Sequence, residues 1–193
     1  MPAASCSTKI HVLPGDVVSR IAAGEVVERP AAVVKELLEN SLDAGGLHIT
    51  VDVKDGGLTL IRVTDDGEGI SRADLPLAFE RHATSKLRSD RDLASVTTMG
   101  FRGEALPSIA SVSHVLVTTA TRQDTTVGSQ FTLVAGGSGS VVDAPAVLGT
   151  RIEVSNLFFN QPARRKFLKS ATTEFSHISH VVQLAGLAWP SVH

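Results

Sequence analysis

Cysteine is nearly absent from this chain of 193 residues, and the single one, Cys6, lies in a small polar N-terminal stretch. One thiol cannot build a disulfide framework, so the stapled secreted scaffolds are excluded and a reducing compartment is expected. Long apolar runs are missing as well. None approaches the roughly 18 residues of a membrane span, and the N-terminus lacks a charged-then-apolar leader. The expectation is a soluble, cytoplasmic protein with no membrane partner. Neither sign of charge is in excess: the formal net charge of −2 excludes a strongly basic nucleic-acid module, though not a local patch. What is present, 42% hydrophobic and 20% charged residues, is the make-up of a globular domain rather than a disordered one. The length suffices to bury a core without staples.

The most informative stretch is residues 33–46, Val-Val-Lys-Glu-Leu-Leu-Glu-Asn-Ser-Leu-Asp-Ala-Gly-Gly, opened by Pro30 and closed by Gly45-Gly46. At about 100° per residue, Glu36, Asn40 and Asp43 share one helix face, while Val34, Leu37, Leu38, Ser41 and Leu42 gather opposite. A carboxylate, an amide and a second carboxylate in a row, without Lys or Arg, is either a solvated face or one wall of a site.

Around this helix the pattern reads as follows. Residues 1–9 form a frayed tail ahead of one domain over 10–193. Pro14 opens a short helix through Val17, Val18, Ile21 and Ala22 that stops near Gly24. Ile49, Val51 and Val53 alternate with polar residues, Lys54-Asp55-Gly56-Gly57 turns the chain, and a strand returns over 58–64. Asp65 has the parity of Ile61 and Val63, so a continuing strand aims its carboxylate at the core side, where it needs partners. Ser71 and Asp74 have helix-start spacing, with Leu75, Leu77, Ala78 and Phe79 following. Residues 82–106 are irregular, the mark of a disordered or functional loop. Strands follow over 112–120, 130–135, 141–142 and 150–154, with a Gly136-Gly137-Ser138-Gly139 turn. Pro162 begins a basic helix with Arg164, Arg165, Lys166 and Lys169. A last helix carries Phe175, Ile178, Val181, Val182, Ala185 and Ala188. Helices and mostly antiparallel strands in separate runs predict an α+β, two-layer sandwich on a mostly antiparallel mixed sheet. The chain ends two residues past Ser191 without a closing signal, as the front of something longer would.

A magnesium nucleotide needs an oxygen ligand for the metal, donors for its phosphates and a partner for its base. Asn40 offers a neutral amide oxygen, and Glu36, one turn back, can hold a water against the terminal phosphate. Asp65 can accept from the amino group of adenine, where guanine presents a carbonyl. Gly67 and Gly69 allow close backbone approach, and Gly100 and Gly103 free N–H groups for phosphate oxygens beside a helix start. No Gly-x-x-x-x-Gly-Lys-Ser/Thr loop or Gly-x-Gly-x-x-Gly turn is present, which disfavours the commoner nucleotide folds.

The set Glu36…Asn40…Asp43-Ala44-Gly45, Asp65-x-Gly67-x-Gly69, Gly100-Phe101-Arg102-Gly103-Glu104-Ala105-Leu106 and Gly149-Thr150 resembles the ATP-site motifs of the gyrase/heat-shock chaperone/histidine kinase/MutL ATPases, the Bergerat-type fold. The stretch 100–106, with 21–30 and 162–168, resembles the MutL family of DNA mismatch repair proteins, over about residues 10–190. The resemblance implies Glu36 as general base, Asn40 as Mg2+ ligand and Asp65 as adenine partner. It also implies Gly67, Gly69, Ile70 and Thr150 around the base, with Asp43 and Ala44 nearby. Thr84, Ser85, Lys86 and residues 100–106 (Gly100, Phe101, Arg102, Gly103, Glu104, Ala105 and Leu106) become a lid over the phosphates of ATP. It further implies a homodimer clamp closed by nucleotide, acting with DNA and the mismatch-recognition protein MutS, and following transducer and C-terminal dimerisation domains that this chain lacks. Hydrolysis by the chain alone is then expected to be weak. Asp66 stands where many members carry Asn, and Gln161 replaces a usual Thr or small apolar residue before Pro162.

Other readings stay open beside this one. A nucleotide-gated binding module without turnover fits the same residues. A histidine-kinase catalytic domain fits less well, because 100–106 lacks a Gly-x-Gly-Leu-Gly lid. Lys86 and Arg102 read equally as solvated residues, and the basic helix more often meets water than DNA. His82 reads as structural, and His177 and His180 as a surface pair.

Overall fold

The computed structural model of the chain describes residues 11–12, 14–86, 99–100 and 103–193. The predicted tail, Cys6, and the loop positions 87–98, Phe101 and Arg102 lie outside the described residues. Six strands form one sheet: β1 (Ile49–Lys54), β2 (Leu60–Asp65), β3 (His114–Thr121), β4 (Asp124–Val134), β5 (Val141–Ala144) and β6 (Gly149–Ser155), in the spatial order β1-β2-β6-β3-β4-β5. Every ladder is antiparallel, and among the described residues the parallel pairing is one isolated bridge, Ala120 with Leu148.

Strand alternation decides which face is covered. Ile61 and Val63 of β2, Val115 and Val117 of β3, and Ile152 and Val154 of β6 are buried. Their odd-face neighbours Arg62 and Glu153 pair across strands at 3.2 Å on the wetter side. Over the buried face lie the helices α1 (Gly15–Val26), α2 (Pro30–Asp43), α4 (Ala105–Ser111) and α6 (Ala171–Ala188), with the short α3 (Asp74–Leu77) and α5 (Pro162–Phe167) at the margins. Val33, Val34, Leu37 and Leu38 of α2 and Ile109 of α4 join the strand residues in one core. At about 25 cal/mol per Å² of apolar surface, that shared interior is the main term holding the layers together. The two-layer α+β expectation is met.

Several boundaries differ from expectation for identifiable reasons. Helix α1 runs through Gly24 to Val26; the Arg164 guanidinium lies where a Cβ at Gly24 would point, so a glycine is accommodated inside the helix rather than ending it. Strand β2 starts at Leu60, since a 3-10 turn at Asp55–Gly57 uses Leu58 for its closing bond. Strand β4 begins six residues earlier than 130, as its polar first half is carried by the hairpin ladder that ends at the Thr121–Asp124 pair. Ser71 and Asp74 bond one another, the Ser71 hydroxyl donating to the Asp74 carboxylate at 2.7 Å and accepting from the Asp74 N–H at 3.1 Å, but the helix begins only at Asp74, after an uncapped Ala73, and is four residues long. Helix α5 ends at Phe167 and leaves Lys169 outside it. In α6 only Glu174 and Ile178 are buried, while Phe175 and Val182 are exposed.

One line of residues crosses the whole sheet in register: Ile49, Asp65, Thr150, Thr119, Ser129 and Asp143. Asp65, Thr150, Thr119 and Ser129 are all buried. A polar row under a helical layer is costly unless its groups bond one another.

Candidate functional site

The site grows from the C-terminal half of α2. Pro30 fits the first helical position, and the helix ends when Gly45 turns left-handed (φ 70°). Gly45 N–H then donates to Leu42 and Gly46 N–H to Ser41, the paired bonds of a glycine stop. That turn brings Gly46 against β2, where a Cβ would lie 3.2 Å from the Asp65 Cβ.

Asp65 ends β2 and points inward, as its parity predicts; it is 7% exposed. Its Oδ1 accepts from the backbone N–H of Gly67 at 3.0 Å and of Thr150 at 3.2 Å, and its Oδ2 from the Ser41 hydroxyl at 2.9 Å. Burial pushes the carboxyl above the ordinary aspartate value, those three bonds pull it back, and Asp66 adds a smaller upward push. Oδ2 retains an unused lone pair among the described residues. Gly67 passes so close to Ala44 that a Cβ would sit 2.8 Å from its carbonyl oxygen. The next residue of that loop, Glu68, donates its N–H to the same oxygen at 2.9 Å. Gly69 adopts φ 76° against the Ala120 backbone. Asp66 is turned away from Asp65. It accepts from Leu47 N–H, His48 N–H and the His48 ring, bonds that hold its carboxyl down at about 2.

The second half of the site faces α2 from the loop after α3. Lys86 Nζ lies 3.0 Å from Asn40 Oδ1 and 2.5 Å from Asp43 Oδ2. Met99 N–H donates to Asp43 Oδ1 at 3.2 Å, and Gly100 N–H approaches Oδ2 at 3.5 Å. Thr84 accepts from Lys86 N–H at 3.1 Å, shaping that turn. Gly103 (φ 61°) packs on Ala83, Glu104 lies 2.8 Å from the His82 ring, and Ala105 and Leu106 begin α4. Glu36, one turn before Asn40, is half-buried and makes no hydrogen bond to the described residues. Its carboxyl is raised, first by desolvation and then by Glu39, with Lys35 and Lys86 opposing.

The structure thus brings Asn40, Asp43, Lys86 and Gly100 together at one end, and Asp65, Gly67, Ala44 and Thr150 at the other, with Ile70 tied in through Thr119. Ser85 makes no side-chain bond in this arrangement among the described residues. Arg164 is committed elsewhere: it donates to the Gly24 and Val27 carbonyls at 2.9 and 2.6 Å. It therefore leaves the exposed basic set that the sequence pattern offered to DNA. Sequence reasoning placed Ser41 among apolar residues and passed over Thr119; a lone hydroxyl on an apolar helix face was the available signal for the first.

The donor set can be tested against magnesium. Among the described residues no group of three His, Cys, Asp or Glu side chains forms a metal cage. Asn40 and Asp43 nevertheless converge on one cation, the Lys86 ammonium. Few protein oxygens, with water and phosphate completing the shell, suits magnesium. A groove of about 420 Å³ between α2, β1 and α6 is lined by none of these residues.

The family profile for histidine kinase-, DNA gyrase B- and HSP90-like ATPases matches residues 28–141. The chain is 54% identical over 184 residues to the DNA mismatch repair protein MutL of Anaeromyxobacter sp. (strain K), covering 95% of this chain and 30% of that protein. The MutL of Caldanaerobacter subterraneus is 51% identical over 184 residues, covering 95% and 31%. Among solved structures, the Aquifex aeolicus MutL ATPase domain complexed with ADP superposes with a TM-score of 0.65 at 35% identity, covering 86% of this chain and 58% of that one. An N-terminal domain of a DNA repair protein superposes at 0.75 with 29% identity, covering 91% and 50%. The chain spans about a third of the length of these curated relatives. It belongs to the histidine kinase-, DNA gyrase B- and HSP90-like ATPases, and within them it is similar to the ATPase domains of MutL proteins.

Proposed function

We propose that this domain binds and hydrolyses Mg2+-ATP and that nucleotide occupancy drives a step of DNA mismatch repair. The observation that carries the reading is the buried Asp65 carboxylate, held by Gly67, Thr150 and Ser41 with one lone pair left over, at one end of a site whose other end gathers a cation. That lone pair accepts from the adenine amino group. Gly67 lets the base plane approach, and Thr150 closes its edge. Asn40 holds Mg2+, which when bound neutralises charge on the phosphate oxygens. Lys86 then exchanges its contacts with Asn40 and Asp43 for phosphate, joined by Thr84, Ser85 and residues 100–106 as a lid. Glu36 orients the attacking water and takes its proton on a carboxylate oxygen. Because the Glu36 carboxyl is raised, its base form is lost sooner than that of an ordinary Glu as pH falls, and turnover falls with it.

The relatives are longer, so the domain acts as the N-terminal, ATP-binding part of a protein whose later domains supply transducer and dimerisation surfaces. Within it, closure of the lid promotes a homodimeric clamp that engages DNA and MutS in the cytoplasm, and turnover by this chain alone is slow. Titration with a non-hydrolysable ATP analogue tests the binding step. Asp65→Ala is expected to lose binding with or without Mg2+, and Asn40→Ala to lose only the Mg2+-dependent part. Wild-type protein that ignores the analogue refutes the reading. Glu36→Ala separates hydrolysis from nucleotide gating: binding is kept and turnover falls by roughly 100-fold or more. If repair survives that loss, the domain is a gated binding module.

A further inference from the structure

Thr119 lies on β3 and is fully buried. Its hydroxyl is 2.8 Å from the Gly149 carbonyl oxygen, 2.9 Å from the Ile70 N–H and 3.2 Å from the Thr150 hydroxyl. A hydroxyl has one proton and two acceptor positions. The carbonyl can only accept and the amide can only donate, so the Thr119 proton goes to Gly149 and one lone pair goes to Ile70. What is left at Thr119 is one lone pair, and the Thr150 hydroxyl must therefore donate to it. With its proton used there, and no other partner among the described residues, Thr150 Oγ1 shows only lone pairs to its surroundings.

Thr150 and Asp65 are cross-strand partners, and both side chains are buried on the covered face. Side chains so paired stand within about 5.5 Å of each other. The two therefore present acceptors side by side. Building on the ATP-site reading above, we infer that Thr119 is a specificity-determining positioning residue: by taking the Thr150 proton, it makes the base pocket a double acceptor that favours a 6-amino purine and rejects a 6-oxo one. An exocyclic amino group brings two hydrogens to two acceptors. A carbonyl at the same position brings lone pairs against lone pairs, and Thr150 cannot rotate its proton outward without leaving Thr119 short. The same hydroxyl ties Ile70 to Gly149, so the Gly67–Ile70 loop and the Thr150 turn keep their spacing around Asp65.

The test is a ratio of affinities, measured calorimetrically with non-hydrolysable triphosphates of adenosine and of inosine, its 6-oxo counterpart. Wild-type protein prefers the adenosine form. Thr119→Val keeps the β-branched shape but frees the Thr150 proton, and narrows that preference by roughly fivefold or more. Thr119→Ser restores the hydroxyl and the wild-type ratio, which a purely structural role for the methyl group would not do. Thr150→Val leaves the Thr119 bonds to Gly149 and Ile70 intact and narrows the ratio too, so it decides the matter if Thr119→Val does not fold. Equal weakening of both nucleotides in Thr150→Val, or an unchanged ratio in folded Thr119→Val, overturns the inference while leaving the ATP site standing. Wild-type protein that binds neither nucleotide overturns both.

Discussion

Replacing Ser41 by Ala removes one oxygen atom and tests how the Asp65 carboxylate is supported. Ser41 is 3% exposed, and its hydroxyl is the partner of Asp65 Oδ2, whereas Oδ1 is served by two backbone N–H groups. Gly46 packs against the same pair, where a Cβ would lie 3.0 Å from the Ser41 carbonyl oxygen and 3.2 Å from the Asp65 Cβ. A hydrogen bond to a charged group contributes about 1.5–3 kcal/mol, and the buried oxygen left behind has no substitute. For a domain of this size that is roughly 4–10 °C in Tm. The dependence on pH sharpens the test. Asp65 is raised by burial, so its contribution to stability is complete below the unfolded aspartate value of ~3.9 and is lost as pH rises through the folded one. Deleting the hydroxyl raises the folded value further, so Ser41→Ala should cost most near neutrality, where the charged form loses its donor. At acid pH, as the carboxyl takes up its proton in both proteins, the cost should shrink toward about 1 kcal/mol, that of a neutral bond. Urea unfolding of both proteins at the two pH values supplies the comparison. A second pair, each carrying Asp65→Asn, should show the pH dependence of the penalty abolished. An identical penalty at both pH values, or one below about 0.5 kcal/mol at neutrality, refutes the account of how this carboxylate is held.

Three further outcomes follow from the same geometry. Lys86→Met removes the ammonium from Asn40 and Asp43, and titration with Mg2+ alone should then show roughly tenfold tighter binding; unchanged affinity means the two oxygens do not face a common cation. Gly69→Ala places a Cβ 2.2 Å from the Ala120 carbonyl oxygen at φ 76°, and should lower unfolding free energy by more than about 1 kcal/mol in urea titrations. Arg164→Ala leaves two carbonyls at the end of α1 without their donor and should cost about 1.5–3 kcal/mol in thermal melts, while the salt dependence of any DNA binding stays as it was.

Much of this arrangement is legible in the chain because it rests on periodicity. The parity of Asp65 with Ile61 and Val63 announces an inward carboxylate, and spacings of three and four place Glu36, Asn40 and Asp43 on one helix face. The Gly45-Gly46 stop is equally plain. Less legible are features set by tertiary contact. Nothing in the sequence shows that the helix continues past Gly24 or that a distant arginine lies over that glycine. The polar start of β4 does not read as a strand, since it depends on a partner already in place. Ser41 looks like part of an apolar face until the carboxylate it serves is seen on another element, and Thr119 is one threonine among several in a β-branched run. The Lys86 contacts are invisible for a further reason: a loop residue 46 positions away from Asn40 carries no period linking the two.

The rung from Ile49 to Asp143 sets a rule for chain length. Because its members belong to different strands and meet only in one alignment, an odd insertion within β6 would turn Thr150 toward water and uncouple Asp65 from Thr119 at once. An even one would restore the facing but slide Thr150 past both neighbours. Additions are harmless only where the chain leaves the sheet, as at the 136–140 turn. Natural and engineered variants should therefore differ in size at such turns and keep β6 at constant length.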